Sequence, residues 1–215
     1  MALYLAALFA SYLRPSALLN MYCDDVVSPE TADQGVVALL VSPIEKERST
    51  KTGQYDETVL MDGDIGELVG PLLKEQADKR LASAVAGAAA GAEADGLPTP
   101  LWESSARSFY SFRTGAAELV RLPEMETVYQ ARHGGASRDA LRKTRSQAEI
   151  QARLHHATAT SSRIYDKPAR ILKLENRLTK AGRDYASDIR RRFAELIRSG
   201  KFPEPPLARG LISAS

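Results

Sequence analysis

One cysteine is too few for an intramolecular disulfide, so this 215-residue chain must hold its fold with a packed core. Cys23 beside Asp24 and Asp25 reads as buried packing in a reducing compartment. Histidines are equally scarce: His133, His155 and His156 are the only three, and no thiol or acidic cluster stands near them at ligand spacing. A metal centre is therefore not expected. CxxC, HExxH, P-loop and GxSxG motifs are missing, as is any GxGxxG set between a strand and a helix. That excludes the common signatures of thiol redox, zinc-protease, nucleotide-binding and serine-hydrolase sites. No long hydrophobic run occurs either. Residues 1–13 are apolar but lack a basic leader, and Arg14-Pro15 interrupts them before the roughly 18 residues of a membrane span. They are expected as a buried amphipathic helix, and no membrane association is expected.

What remains is ordinary for a globular chain: 44% hydrophobic and 26% charged residues, with a formal charge of only +2. The charge is uneven. Acidic residues gather near 24–30, 45–67 and 93–95, and basic ones crowd 132–201. A basic C-terminal half suits a phosphate-binding face, and equally a solvated helical surface.

Periodicity supplies the elements. Residues 2–13 are helical, and Pro15 suits the first turn of a second helix over 16–21. GVVALLV (35–41) and YDETVLM (55–61) are short and β-branched, and the polar stretch between them reads as a hairpin connection. Helices follow over 65–79, 104–122, 125–141 and 146–155. The alanine- and glycine-rich segment 82–96 is expected as a loose low-complexity insert. A long amphipathic helix covers 171–198, with Ile171, Leu174, Leu178, Ala181 and Tyr185 along one seam, and Gly200 and Pro203 stop it. The fold class is mainly α in an α+β arrangement, with a small antiparallel sheet of two or three strands. Domain boundaries follow: 1–170 as one domain with the insert at 82–96, 171–200 as a C-terminal helix, and 201–215 as a disordered tail.

Several polar residues recur in a definite order. Arg14 stands in LRPSALL, Lys51 in the turn TKTG, Tyr129 and Arg132 in YQARH, His156 after His155, and Tyr165 nine positions after His156 in SSRIYDK. In this order and spacing the chain resembles the tyrosine recombinase (phage-integrase-like) family over roughly residues 1–170. Members carry an arginine at a helix end, a lysine in a β-hairpin turn, an H-x-x-R motif, a histidine or tryptophan, and then the nucleophilic tyrosine. The resemblance implies a DNA strand cleavage and rejoining enzyme that works through a phosphotyrosyl intermediate. Tyr165 would be the nucleophile, Lys51 the proton donor to the leaving oxygen, and Arg14, Arg132, His156 and Tyr129 the phosphate contacts. No cofactor is implied. The partner would be double-stranded DNA, with a homo-oligomer on DNA built through the C-terminal helix. The location would be the nucleus of a eukaryote, or the cytoplasm and nucleoid of a bacterium.

Elementary chemistry agrees with that set. Metal-free phosphoryl transfer needs cations on the non-bridging oxygens, and a guanidinium supplies paired hydrogen bonds while staying charged. A phenol of ordinary pKa near 10 gains from cationic neighbours that favour the phenolate. The chain departs from the family pattern in three ways. Tyr129 replaces the first histidine, Ala17 an acidic residue, and His155 a small one. Its start also leaves no room before Arg14 for the separate core-binding domain of family members, so a truncated product, a degenerate mobile-element remnant or a domain that relies on partners is expected. Two other readings stay open on the same residues: a DNA-binding remnant without turnover, and a helical scaffold whose spacing is coincidental.

Overall fold

The computed structural model describes residues 1–30, 35–41, 57–89, 98–103, 108, 128–154, 156 and 168–206. Its first helix, α1 (Ala2–Ser11), carries no charge and buries Leu3, Tyr4, Ala7, Leu8, Ala10 and Ser11. A helix apolar on all sides belongs inside, and α1 is the central strut of the molecule. It ends at Tyr12, whose left-handed φ of 59° lets its N–H reach the Leu8 carbonyl. After the turn comes α2 (Pro15–Leu19), which starts on proline as its sequence requires.

A short 3₁₀ turn over Cys23–Asp25 leads into β1 (Val26–Val27), then β2 (Ala38–Val41) and β3 (Glu57–Leu60). All pairings are antiparallel in the order β1-β2-β3, with Leu39 opposite Val59 and Val26 opposite Leu39. The two expected strands are present. The third, β1, is only two residues long, too short to show alternation. Behind the sheet runs α3 (Gly63–Ala89), with Val69, Leu72, Leu73 and Ala77 turned inward. Helices α4 (Tyr129–Arg142) and α5 (Gln147–Arg153) follow. Ser146 caps α5 by accepting from the Glu149 N–H, while the Glu149 carboxylate takes the Ser146 N–H. Helix α1 packs between α3 and α4. The main core joins α1, α2, the sheet and α3, and full burial of leucines such as Leu8, Leu18, Leu39 and Leu73 is worth about 1.5–3 kcal/mol each. Cys23 lies in this core at 2% exposure, as expected.

Two expectations are corrected. The segment 82–96 is helical as far as Ala89, because α3 runs straight into it. Once a helix is nucleated by its packed face, each alanine adds a hydrogen bond at the lowest propensity cost of any residue, so the extension persists although Val85 is 69% exposed. The remainder, 90–96, lies outside the described residues. The C-terminal segment is three helices and not one: α6 (Pro168–Arg177), α7 (Lys180–Arg191) and α8 (Phe193–Ser199). Thr179 makes the first break. Its backbone is extended (φ −67°, ψ 169°) and its hydroxyl accepts the Gly182 N–H at 3.0 Å, an N-cap that starts a new helix. The second break is at Arg192, and Gly200 (φ 66°) closes α8 as expected. The helices expected at 104–122 and the tail beyond 206 lie outside the described residues, Ser108 apart. Among the described residues no helix is long and apolar enough to cross a membrane, and no group of side chains could hold a metal ion.

Candidate functional site

Arg14 is positioned by the residue after it. A residue preceding proline is driven to extended backbone, and Arg14 adopts φ −65°, ψ 141° as the N-cap of α2. Two buried aromatics fix α2 itself. The Tyr4 hydroxyl donates to the Pro15 carbonyl at 2.9 Å, and the Trp102 indole donates to the Leu18 carbonyl at 2.8 Å. Their rings meet edge to face at 5.4 Å.

Arg132 comes from α4, which lies against α1 at unusually short range. A Cβ on Gly135 would stand 2.0 Å from the Phe9 carbonyl oxygen, so only glycine allows this crossing. Arg132 is 1% exposed, and its Nη2 donates to the Leu154 carbonyl and lies 3.3 Å from His156 Nε2. A guanidinium can only donate, so Nε2 is the acceptor and the imidazole proton sits on Nδ1. Backbone and side chain of Gln151 hold His156 in turn: His156 N–H donates to the Gln151 carbonyl at 3.2 Å, and Gln151 Nε2 to the His156 carbonyl at 3.1 Å. Burial first, then the charges of Arg132 and Arg14, push the His156 imidazole below its ordinary pKa. Arg132 and Arg14 thus both act on His156, although more than a hundred residues separate the two arginines. Tyr129 opens α4 one turn before Arg132 and is 41% exposed. Lys51, His155 and Tyr165 lie outside the described residues.

A second polar cluster has no counterpart in the sequence reading. Tyr12 Oη donates to Asp139 at 2.5 Å, and Arg145 Nε reaches the same carboxylate at 2.9 Å. Arg145 also grips Asp62 with both terminal nitrogens, at 3.0 and 2.5 Å, and Arg153 joins Asp62 at 2.8 Å. Nearby, Arg138 binds Asp64 bidentately at 2.9 and 2.5 Å, and Arg190 of α7 adds a contact at 2.5 Å. Burial would raise the Asp62 carboxyl, but Arg145 and Arg153 outweigh it and hold it below its usual range. Hydrogen bonds from Arg138 lead the effects that bring Asp64 down to about 2. Burial and the Asp139 acceptor push the Tyr12 phenol well up. Arg138, Arg145 and Arg153 of the basic run are therefore paired with carboxylates inside the protein.

Of these groups Tyr12, Asp62, Asp64, Arg138, Asp139 and Arg145 line a cavity of about 450 Å³ together with Phe9 and Ile65. Arg14, Arg132 and His156 are not among its lining residues. Its carboxylates and guanidiniums neutralise one another. No signal in the sequence pairs Asp62 with arginines 83 and 91 positions away.

No protein-family model matches the chain, and no curated protein does. Among solved structures it is similar to the Tn1549 transposon integrase in complex with transposon right end DNA, at 16% identity and a TM-score of 0.49. The match covers 81% of this chain and 57% of that one, so the chain spans little more than half of its length. A likeness at that level fixes neither family nor function.

Proposed function

We propose that the chain cleaves and rejoins DNA strands through a transient covalent link to Tyr165. The observation that carries this reading is the meeting of Arg14, Arg132 and His156 from three separate segments, with Arg132 3.3 Å from His156. Two guanidiniums and a neutral imidazole whose proton sits on Nδ1 form a donor set for the non-bridging oxygens of a phosphodiester. The Tyr165 hydroxyl gives up its proton to water, its oxygen attacks phosphorus, a phosphotyrosyl bond forms and the P–O5′ bond breaks. The leaving 5′ oxygen takes a proton, for which Lys51 is the proposed donor. Tyr129 would add a hydrogen bond at the rim. The bond energy is kept in the phosphotyrosyl ester, so rejoining by a 5′-hydroxyl needs no nucleotide. Because Arg132 is 1% exposed, admitting a phosphate requires the 154–156 segment to yield part of its hold on that side chain.

Nicked suicide duplexes test the reading. The wild-type chain should form a covalent protein–DNA adduct, Tyr165→Phe should form none, and Arg132→Gln should slow it by about 10²–10³. No adduct with any duplex overturns the enzyme. Duplex binding that weakens steeply with salt but yields no adduct leaves DNA binding without turnover, and binding indifferent to salt overturns phosphate contact altogether.

A further inference from the structure

We infer that Arg153 is a positioning residue that sets the distance between Arg14 and the Arg132–His156 pair; this rests on the phosphate-site reading above. Its side chain is 9% exposed and spans three elements. Nη2 donates to the Ala10 carbonyl at 2.9 Å and to the Leu60 carbonyl at 2.6 Å, Nη1 donates to Asp62 at 2.8 Å, and the guanidinium lies 5.3 Å over the Tyr12 ring. The Ala10 carbonyl is one of the last four of α1, which no helical N–H satisfies, and a cation there suits the helix end. Two residues on is Tyr12, whose left-handed turn redirects the chain to Arg14. In the other direction along the chain, the residue after Arg153 is Leu154, whose carbonyl receives Arg132, and His156 follows. One guanidinium therefore locks the exit of α1, which carries Arg14, to the segment that carries His156 and holds Arg132.

Stability alone does not account for such a group. Arg153 Nε is buried without a hydrogen-bond partner among the described residues, and a buried ion pair is often matched or bettered by apolar side chains of similar volume. A leucine here could fill the space, but it could not tie two backbone carbonyls and a carboxylate at fixed distances. The planar, five-donor fork can, and lysine cannot reproduce it.

The test uses the full chain and does not depend on DNA chemistry. Arg153→Lys keeps the charge while losing the fork. Thermal unfolding confirms that the variant folds, and NMR titration reads the His156 imidazole. If Arg153 positions Arg14, the His156 pKa in Arg153→Lys rises toward the value in Arg14→Gln. Adduct formation on suicide duplexes slows about tenfold or more with duplex affinity little changed. A His156 titration that is the same as wild type in folded Arg153→Lys overturns the proposal. So does one unmoved by Arg14→Gln, since there would then be no Arg14 field to position. Should the lysine variant not fold, Arg153→Met combined with Asp62→Leu removes both charges together and carries the same readout. Failure of the enzyme reading looks different: no adduct from any variant, with His156 still responding to Arg153→Lys.

Discussion

His156 Nε2 lies 3.3 Å from Arg132 Nη2, and the same arginine nitrogen donates to the carbonyl of Leu154, two residues before that histidine. One nitrogen of a buried cation is thus held by a segment that itself carries a titratable ring. The ring and the cation are coupled: protonating His156 removes the acceptor lone pair and places two positive charges side by side. Above its depressed pKa the histidine is neutral and the contact holds.

Replacing Arg132 should have two separable effects. Arg132→Gln removes a charge that depresses His156, so the imidazole pKa rises in an NMR titration. It also leaves the Leu154 carbonyl without its charged donor, at a cost of about 1–3 kcal/mol in denaturant unfolding. A loss of stability with no change at His156 would mean that the guanidinium and the imidazole are not in contact in solution.

The His156 shift also sets a pH dependence. The folded pKa lies below the ordinary 6.5, so between those values the unfolded chain binds more protons than the folded one. Stability is then full above pH 6.5 and declines as pH falls through the folded pKa. His156→Gln should flatten this part of the stability–pH curve, and an unchanged slope would assign the decline to other groups.

The crossing of α1 and α4 should be intolerant of a single methyl. In Gly135→Ala the new Cβ would meet the Phe9 carbonyl oxygen at 2.0 Å and Tyr12 Cε1 at 2.7 Å, so the helices must part. Overpacking of this kind costs about 3 kcal/mol, and here it also carries Arg132 away from Arg14. Gly87→Ala is the control. Nothing lies within 4 Å of a Cβ there, and in the last turn of α3 the exchange should cost no stability.

Which parts of this were legible in the sequence follows from how far apart the determinants lie. Helix α1, strands β2 and β3 and the Ser146–Glu149 cap are written in local pattern, and each is where that pattern puts it. The C-terminal seam reads as continuous because Leu174, Leu178 and Ala181 keep helical spacing across Thr179, whose capping geometry periodicity does not register. For the candidate site, Arg14, Arg132 and His156 came from motif order, and the structure brings them together. The clamp of Tyr12, Asp62, Asp139, Arg145 and Arg153 had no such order to follow. Its members are scattered from residue 12 to residue 153, and only the fold makes them neighbours.

Acid should loosen the contact between α7 and the start of α3. Asp64 holds Arg138 and Arg190 with its carboxyl brought down to about 2, so its contribution is full above its ordinary 3.8 and is lost as pH falls from there toward 2. The group is 44% exposed, so the effect is modest and salt weakens it further. Wild type should be more stable than Asp64→Asn at pH 6, with the difference closing between pH 3.8 and 2. A difference that persists at pH 2 would mean that the asparagine acts through packing and not charge.

Thr179 should control the C-terminal helices locally. Its hydroxyl caps α7 through the Gly182 N–H, and Thr179→Ala removes that acceptor at a cost of about 1 kcal/mol. Because α7 is held to the body by Arg190 on Asp64, and its Tyr185 hydroxyl is tied to the Pro203 carbonyl at 3.0 Å, fraying at its first turn weakens a docked element and not a free arm. Amide exchange should therefore accelerate over Lys180–Arg191 while α1 and α4 keep their protection, and Thr179→Ser should restore it. Exchange that accelerates equally in α1 would show that the C-terminal helices and the α1–α4 crossing open as one unit, which would tie the 154–156 segment to the same opening.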